Sequence, residues 1–240
     1  MQSSLYVALS AQVALQDRLE TVAQNVANGN TAGYRGTEVK FDSVLSNLGA
    51  DPVAFVSPGS QVIKRQSGGL SKTGNPLDVA VKGNGWLSVA SAQGPVYTRD
   101  GRMHMNAAGA LVALSGAPIL DGGGTPVQLD PGGGLPQISS DGTISQSGKR
   151  IATLGLVTLP DDAKLSRAEG GVTSSAPGAA VSDFSANGVV QGFVEDSNVN
   201  PITEITRLVY VQRSFEGVTA VVQSAETSFK NAIQTLGSSA

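Results

Sequence analysis

Residues 200–237 read NPITEITRLVYVQRSFEGVTAVVQSAETSFKNAIQTLG and carry a seven-residue apolar repeat. The first apolar row of this repeat consists of Leu208, Phe215, Val222, Phe229 and Leu236. A second row lies three residues after each of the first four members, at Val211, Val218, Ala225 and Ala232. A strict seven-residue repeat keeps one apolar stripe facing a partner along a supercoil. This stretch therefore predicts one long helix that packs lengthwise against another helix.

The limits of this helix are marked by residues that favour helix ends. Asn200 is a good N-cap, Pro201 suits the first helical position, and Gly237 suits the end. Gly217 lies inside the helix, where glycine costs about 1 kcal/mol relative to alanine. We therefore expect another backbone to approach closely at Gly217.

A second helical repeat opens the chain. Its two rows consist of Leu5, Gln12, Leu19 and Val26, and of Ala8, Leu15 and Val22. We expect this helix to begin near Ser3 or Ser4 and to end near Asn28. Two such stripes at opposite ends of one chain can cover each other and still leave surface for neighbours. The two ends therefore indicate a subunit built to assemble.

Turn-forming residues crowd the end of the first helix. The cluster comprises Asn25, Asn28, Asn30, Thr31, Gly33 and Gly36. Asparagine side chains form hydrogen bonds with nearby backbone groups, so the cluster predicts a fixed turn rather than a loose linker.

The intervening sequence is rich in glycine and indicates β-structure. Short strands are predicted at residues 77–81, 86–90, 96–99, 111–114, 127–129 and 151–159. Asn-Gly or Asp-Gly pairs separate many of these runs, at residues 84–85, 100–101, 121–122, 141–142 and 187–188. Such pairs supply the positive φ that tight hairpins need.

Three further segments carry weaker signals. Residues 41–48 are expected to form a short helical turn and residues 61–66 a strand. Residues 161–181 are expected to form a long surface segment.

Composition excludes several classes of protein. The chain has 240 residues, a net charge of −3 and no cysteine, which excludes a basic nucleic-acid binder, a disulfide scaffold and a thiolate zinc site. The first basic residue is Arg18, so the charged start of a secretory signal peptide is missing. No apolar run approaches the roughly 18 residues of a membrane span. We therefore expect no direct membrane insertion, and export, if it occurs, without a cleaved Sec signal.

No constellation of catalytic residues stands out. His104 is the only histidine, and its alternation with neighbouring methionines predicts an exposed or half-buried strand residue. Residues 72–74 (KTG) match one β-lactamase element, but the S-x-x-K nucleophile motif is missing. Residues 83–85 lack the third glycine and the following helix of a dinucleotide fingerprint. We therefore expect no enzyme, no small-molecule substrate, no cofactor and no metal site.

Four segments in order along the chain resemble the flagellar rod and hook protein family. The first, residues 19–35 (LETVAQNVANGNTAGYR), is similar to the N-terminal signature of that family. The others are residues 75–87 (NPLDVAVKGNGWL), 97–101 (YTRDG) and 191–201 (QGFVEDSNVNP), which resemble three later family segments. The length and the stretch PILDGGGTPVQLD at residues 118–130 favour a proximal-rod member of the family over a distal-rod member.

The resemblance implies an α+β fold in which the two terminal helices form one discontinuous, coiled-coil-like domain and a β-rich domain is inserted between them. We expect the terminal helical assembly domain at residues 1–36 and 197–240, a connecting segment at residues 37–76, and the β-rich domain at residues 77–196.

The resemblance also implies a structural subunit of the flagellar basal-body rod in the periplasmic space. Its expected partners are proximal- and distal-rod subunits, further copies of itself, and the flagellar type III export apparatus. The residues expected at the assembly interface are Leu15, Leu19, Val22, Asn25, Val26, Asn28, Thr31, Gly33, Tyr34, Leu208, Phe215, Val222, Phe229 and Leu236.

One alternative belongs to a different class of protein. A β-rich binding or adhesion module with helical arms would also combine these elements. An exposed aromatic cluster would favour that alternative, but Trp86 is the only tryptophan and lies in a segment that resembles the rod and hook family.

Overall fold

The computed structural model of the chain describes residues 2–46, 53–57 and 59–237. Helix α1 spans Gln2–Ala27 and helix α2 spans Pro201–Gly237. The strands are β1 (Thr37–Lys40), β2 (Ser43–Ser46), β3 (Val53–Val56), β4 (Ser60–Ile63), β5 (Leu70–Lys72), β6 (Val79–Lys82), β7 (Gly85–Val89), β8 (Val96–Thr98), β9 (Met103–Met105), β10 (Leu111–Ala113), β11 (Gln137–Ile138), β12 (Thr143–Gln146), β13 (Lys149–Thr153), β14 (Leu156–Thr158), β15 (Leu165–Ala168), β16 (Gly171–Ser174), β17 (Ala179–Ala180), β18 (Gly188–Gln191) and β19 (Phe193–Glu195). Two terminal helices that flank a β-rich middle confirm the predicted α+β class.

The chain divides into two compact units, and each draws on distant parts of the sequence. The first, which we call the helical unit, consists of Met1–Ala27, Thr37–Val62 and Asn200–Ala240. The second, which we call the β unit, consists of Asn28–Gly36 and Ile63–Val199. Residues 37–76, expected as one connecting segment, are thus shared between the two units.

In the helical unit, α1 and α2 run antiparallel and pack against each other. Gln12 Nε2 lies 3.5 Å from Thr219 Oγ1, and Asn25 Nδ2 lies 3.4 Å from Glu204 Oε2. A residue nearer the end of α1 therefore faces a residue nearer the start of α2, as an antiparallel pair requires. The prediction that the terminal stripes pair with each other is confirmed at the level of the two helices.

Strands also belong to the helical unit, and one of them corrects a prediction. The helical turn expected at residues 41–48 is wrong where the structure describes it, because β2 pairs with β3 in antiparallel register. Val44 lies opposite Phe55, and Leu45 lies opposite Ala54. Such cross-strand pairs override weak local helical signals. Residues 47–48 of this prediction lie outside the described residues.

The β unit is built around a six-stranded sheet. Its strand order is β15-β16-β8-β7-β14-β17, with antiparallel pairing throughout. All five residues of β7 are buried, since this strand lies inside the sheet and both of its faces are covered. The fully buried large apolar side chains of the unit include Val79, Leu87, Val89, Leu111, Ile119, Val127 and Ile144.

Residues 161–181 lie largely at the surface, as expected, but this region also forms strands that were not predicted. It contributes β15, β16 and β17 to the sheet, and Val172 in β16 is only 2% exposed. These strands are two to four residues long and rich in small or polar side chains, so their sequence lacks a clear strand pattern.

Glycines in the predicted turn pairs have a different role from the one expected. Of those five pairs only Gly142 has a positive φ, at 81°. A Cβ at Gly101 would lie 1.7 Å from the carbonyl oxygen of Val79, so close backbone approach explains this glycine. The expected close approach at Gly217 is wrong within the described part of the chain, where a Cβ at this position would have no neighbouring atom within 4 Å apart from the backbone of its own helix.

Candidate assembly interface

The seam of α2 is partly covered along most of its length. Leu208, Phe215, Val222 and Phe229 are all half-buried, and Val211 in the second row is 1% exposed. Leu236, expected in the same row, is instead 74% exposed. The heptad pattern thus identifies the half-buried face of α2 correctly, but Leu236, the last member of its first row, is exposed.

The matching seam of α1 is also covered. Leu15, Leu19 and Val26 are half-buried, and Val22 is 6% exposed. Ala14 and Thr21 are even more deeply buried, at 5% and 4%, because α1 contacts β1 and β3 as well as α2. Heptad reasoning missed these two positions because both lie outside the two predicted rows.

Asn25 is a buried clamp between three elements of the helical unit. Its Oδ1 accepts a hydrogen bond from Thr37 N at 2.9 Å, and its Nδ2 donates to Thr37 O at 2.8 Å. The same Nδ2 lies 3.4 Å from the Glu204 carboxylate, which is 5% exposed and accepts from Arg207 Nη1 at 2.6 Å. Asn25 therefore ties the end of α1 to both β1 and α2, rather than forming part of an exposed turn.

The turn after α1 is fixed by hydrogen bonds within the β unit. Thr31 N donates to Asn28 O at 3.1 Å, Thr31 Oγ1 donates to Asn28 Oδ1 at 3.2 Å, and Tyr34 N donates to Thr31 O at 3.2 Å. The predicted fixed turn is confirmed by these bonds.

Gly33 allows this turn to lie directly against another part of the β unit. Its φ is +67°, and a Cβ there would lie 2.1 Å from Asp100 N. Its N–H donates to Glu195 O at 2.7 Å. No side chain other than hydrogen fits such an approach, so glycine is required both by the dihedral and by space.

Three buried charges meet beside this turn. Arg35 Nη2 lies 2.8 Å from Glu195 Oε1, and Arg99 Nη1 lies 3.0 Å from Glu195 Oε2, with all three side chains about 1% exposed. Glu195 Oε1 also accepts from Gly68 N at 3.0 Å. Each charged residue comes from a different segment that resembles the rod and hook family. Sequence reasoning did not single out Arg99 or Glu195, since nothing local marks two residues this far apart as partners.

The two arginines are desolvated and share one carboxylate. Their guanidinium carbons lie 5.7 Å (Arg35) and 5.3 Å (Arg99) from the centre of the Trp86 ring, whose π face favours a cation. Burial lowers the pKa of Arg35, and burial lowers the pKa of Arg99 to about 10, with the Glu195 charge opposing the shift in both cases. Arg99 is therefore still protonated at neutral pH, and Glu195 offsets one of the two positive charges in the cluster.

Asn198 forms hydrogen bonds with two other segments of the β unit. Its Oδ1 accepts from Gly36 N at 2.7 Å, and its backbone N donates to Tyr34 O at 3.2 Å. Its Nδ2 donates to Gln66 O at 2.8 Å. Tyr34 in turn stacks under the Arg167 guanidinium, 4.1 Å from the ring centre. Residues 34–36 and 198 are thus held side by side.

The described residues offer no other site with evident chemistry. His104 is exposed on β9, as predicted for a strand residue. Within the described ranges, no three histidine, cysteine, aspartate or glutamate side chains converge as metal ligands would. Neither helix described there has the length and apolar character of a membrane span.

Three family models match separate parts of the chain. Residues 5–35 match "Flagella basal body rod protein", residues 80–146 match "Flagellar hook protein FlgE/F/G D1 domain", and residues 190–235 match "Flagellar basal body rod FlgEFG protein C-terminal". The first and third matches cover most of α1 and α2, and the second covers much of the β unit.

Full-length relatives agree with these matches. The chain is 45% identical to the flagellar basal-body rod protein FlgF of Mesorhizobium japonicum, over 99% of both chains. It is 44% identical to FlgF of Rhizobium meliloti over the full length of both. Identity to the rod protein FlgG of Agrobacterium fabrum is lower, at 29% over 93% of this chain and 95% of the relative. The chain belongs to the FlgF family of flagellar basal-body rod proteins.

Proposed function

We propose that this structural protein of the basal-body rod assembles with its neighbours through the outer faces of the α1–α2 pair. The observation that carries the proposal is the set of large apolar side chains left uncovered on these helices. They include Tyr6 (60% exposed), Leu9 (49%), Val13 (51%), Ile202 (78%) and Tyr210 (70%). Tyr6, Leu9 and Val13 follow one another along one face of α1, and contiguous exposed apolar surface usually marks an interaction site.

The way the helical unit is built suits axial assembly. The α1–α2 seam is satisfied within the chain, so each subunit can present a preformed helical pair whose remaining faces are available to others. Contacts between different faces of successive subunits generate open helical arrays rather than closed rings. A rod requires this open arrangement.

The neighbours and the route of delivery follow from the same proposal. The partners are other rod subunits, proximal and distal, together with further copies of this chain. The subunit reaches the periplasmic rod through the flagellar type III export apparatus, which does not use a cleaved Sec signal. No catalytic step is part of this role.

The binding-module alternative has no specific observation in its favour. Trp86, the aromatic residue that such a module would need at its surface, is 4% exposed and packs under two arginines.

A complementation experiment tests the proposal. In cells that lack the chromosomal gene, Tyr210→Asp places a charge among the exposed apolar side chains of α2, whereas Tyr210→Phe keeps the apolar ring. We expect Tyr210→Phe to restore motility and Tyr210→Asp to leave cells non-motile, with the variant subunit absent from purified rods. Normal rods containing Tyr210→Asp would refute the role of the outer helical faces.

A further inference from the structure

A small pocket in the β unit opens beside the buried charge cluster. Its volume is about 60 Å³, which is several times what one water molecule needs but far below the volume of a site for a drug-sized ligand. The residues that line it are Arg65, Asn84, Trp86, Arg99, Leu159 and Asp161. Trp86, Arg99 and Leu159 are buried, whereas Asn84 and Asp161 are exposed. The pocket therefore leads from the surface toward the cluster and admits only a small chemical group.

The cluster at the inner end of this pocket carries an excess of positive charge. Arg35 and Arg99 share the Glu195 carboxylate, so Glu195 offsets only one of the two guanidinium charges. Arg99 Nε, Arg35 Nε and Arg35 Nη1 are also buried without a hydrogen-bond acceptor among the described residues. Buried polar groups usually have partners, and a buried charge acts strongly on its surroundings because the interior has a low dielectric constant. The cluster therefore attracts an anion into the pocket.

Arg65 places a second guanidinium group at the pocket in a fixed position. Its Nη1 donates to Leu159 O at 3.2 Å, and its Nη2 donates to Pro160 O at 2.7 Å and to Ala163 O at 2.8 Å. The Asp161 carboxylate is fully exposed and lies 4.0 Å from Arg65 Nη1, so it is a weak surface partner. Three of the five N–H donors of Arg65 are used in the bonds to carbonyl oxygens.

We infer that this pocket binds a carboxylate. Guanidinium groups bind planar carboxylates through charge-assisted hydrogen bonds, and the exposed Asn84 amide can donate a further bond at the mouth of the pocket. The carboxylate belongs either to a small organic acid in solution or to an acidic side chain of another protein, since both present the same group. This binding is separate from the proposed assembly through the outer helical faces.

The fluorescence of Trp86 reports on the pocket selectively, because the chain contains no other tryptophan. The full-length protein is titrated at neutral pH with sodium acetate, and separately with the peptide acetyl-Gly-Asp-Gly-amide, whose only carboxylate is a side chain. Sodium chloride at the same ionic strength is the control for general salt effects. We expect acetate to give a saturating change with a midpoint on the order of 10 mM, as suits so small a ligand, and chloride to give none.

The two titrations also distinguish the sources of the carboxylate. Saturation by the peptide as well as by acetate assigns the site to acidic side chains of proteins. Saturation by acetate alone assigns it to free organic acids.

Three variants relate the fluorescence signal to the pocket. Arg65→Gln removes one of its two guanidinium groups, so we expect the acetate midpoint to rise roughly tenfold. Arg150→Gln is the matched control, because it removes an exposed arginine that does not line the pocket, and we expect an unchanged midpoint. Asp161→Asn removes the carboxylate at the mouth, so we expect the midpoint to fall roughly threefold.

Several results would overturn the inference. If acetate gave no saturating change, or if chloride reproduced the change, the pocket would not be a carboxylate site. Equal midpoints for Arg65→Gln and Arg150→Gln would place the binding elsewhere. If Arg65→Gln did not fold, the exposed substitution Asp161→Asn would decide, and unchanged or weaker acetate binding by that variant would contradict the inference.

Discussion

Arg35 and Glu195 form a buried ion pair, with Arg35 Nη2 2.8 Å from Glu195 Oε1 and both side chains 1% exposed. One residue follows the turn after α1, and the other ends β19, shortly before α2 begins. The pair therefore joins, inside the β unit, the two segments from which the chain leaves for the helical unit, after Gly36 and after Val199.

Glu195→Gln is expected to destabilise the protein by about 3–5 kcal/mol, because both buried arginines lose the carboxylate that they share. Urea unfolding followed by circular dichroism measures this change. Asp161→Asn is the control, since the exposed Asp161 carboxylate lies 4.0 Å from Arg65 Nη1 and such surface pairs contribute at most about 1 kcal/mol. Equal stability of Glu195→Gln and the wild type would contradict the role given to the cluster.

Gly33→Ala is expected to cost far more than Gly74→Ala, although both glycines have a positive φ. At Gly74 (φ +75°) no non-adjacent atom of the described residues lies within 4 Å of the added Cβ, so only the dihedral cost of about 1–2 kcal/mol applies. At Gly33 the added Cβ would also lie 2.1 Å from Asp100 N and force the turn away from it. Thermal unfolding of the two variants distinguishes these causes, and similar melting temperatures would show that the close approach is unimportant.

Asn25→Ala is expected to destabilise the helical unit by about 3 kcal/mol, because it removes two buried hydrogen bonds to the Thr37 backbone and the contact with Glu204. Asn28→Ala is the matched change, and it removes a half-buried bond from Thr31 that is worth about 1 kcal/mol. Hydrogen exchange of α1 and α2 amides reports on the unit directly. If Asn28→Ala loosened these helices more than Asn25→Ala, the clamp would be assigned to the wrong residue.

The terminal helices could be predicted from sequence because their signals are local and periodic. The heptad rows identified the covered face of α2, and Asn200 caps it as expected, with its Oδ1 3.0 Å from Ile202 N and 3.2 Å from Thr203 N. The end of α1 at Ala27 lies one residue before the predicted Asn28.

The features that escaped prediction depend on partners far away in the chain. Arg99 directly follows β8 and Glu195 ends β19, and only the fold brings these two single charges together in one carboxylate–guanidinium cluster. Strand β2 forms because β3 supplies Phe55 and Ala54 as cross-strand neighbours, which its own sequence does not reveal. Gly101 is required by its close contact with Val79 O rather than by a positive φ. A glycine in the sequence does not reveal which of these two reasons applies.

The most direct test of rod assembly through the helical pair is the composition of basal bodies purified from a Phe229→Asp strain. Phe229 is half-buried near the end of the α1-covered seam, so the substitution removes apolar burial and adds a desolvation cost within the helical pair that presents the assembly faces. Asn231→Asp adds the same charge at an exposed position nearby and serves as the control. We predict an exported Phe229→Asp subunit with a folded β unit, no incorporation into the rod and non-motile cells, while Asn231→Asp is incorporated. A complete rod that contains Phe229→Asp at normal stoichiometry would contradict the account.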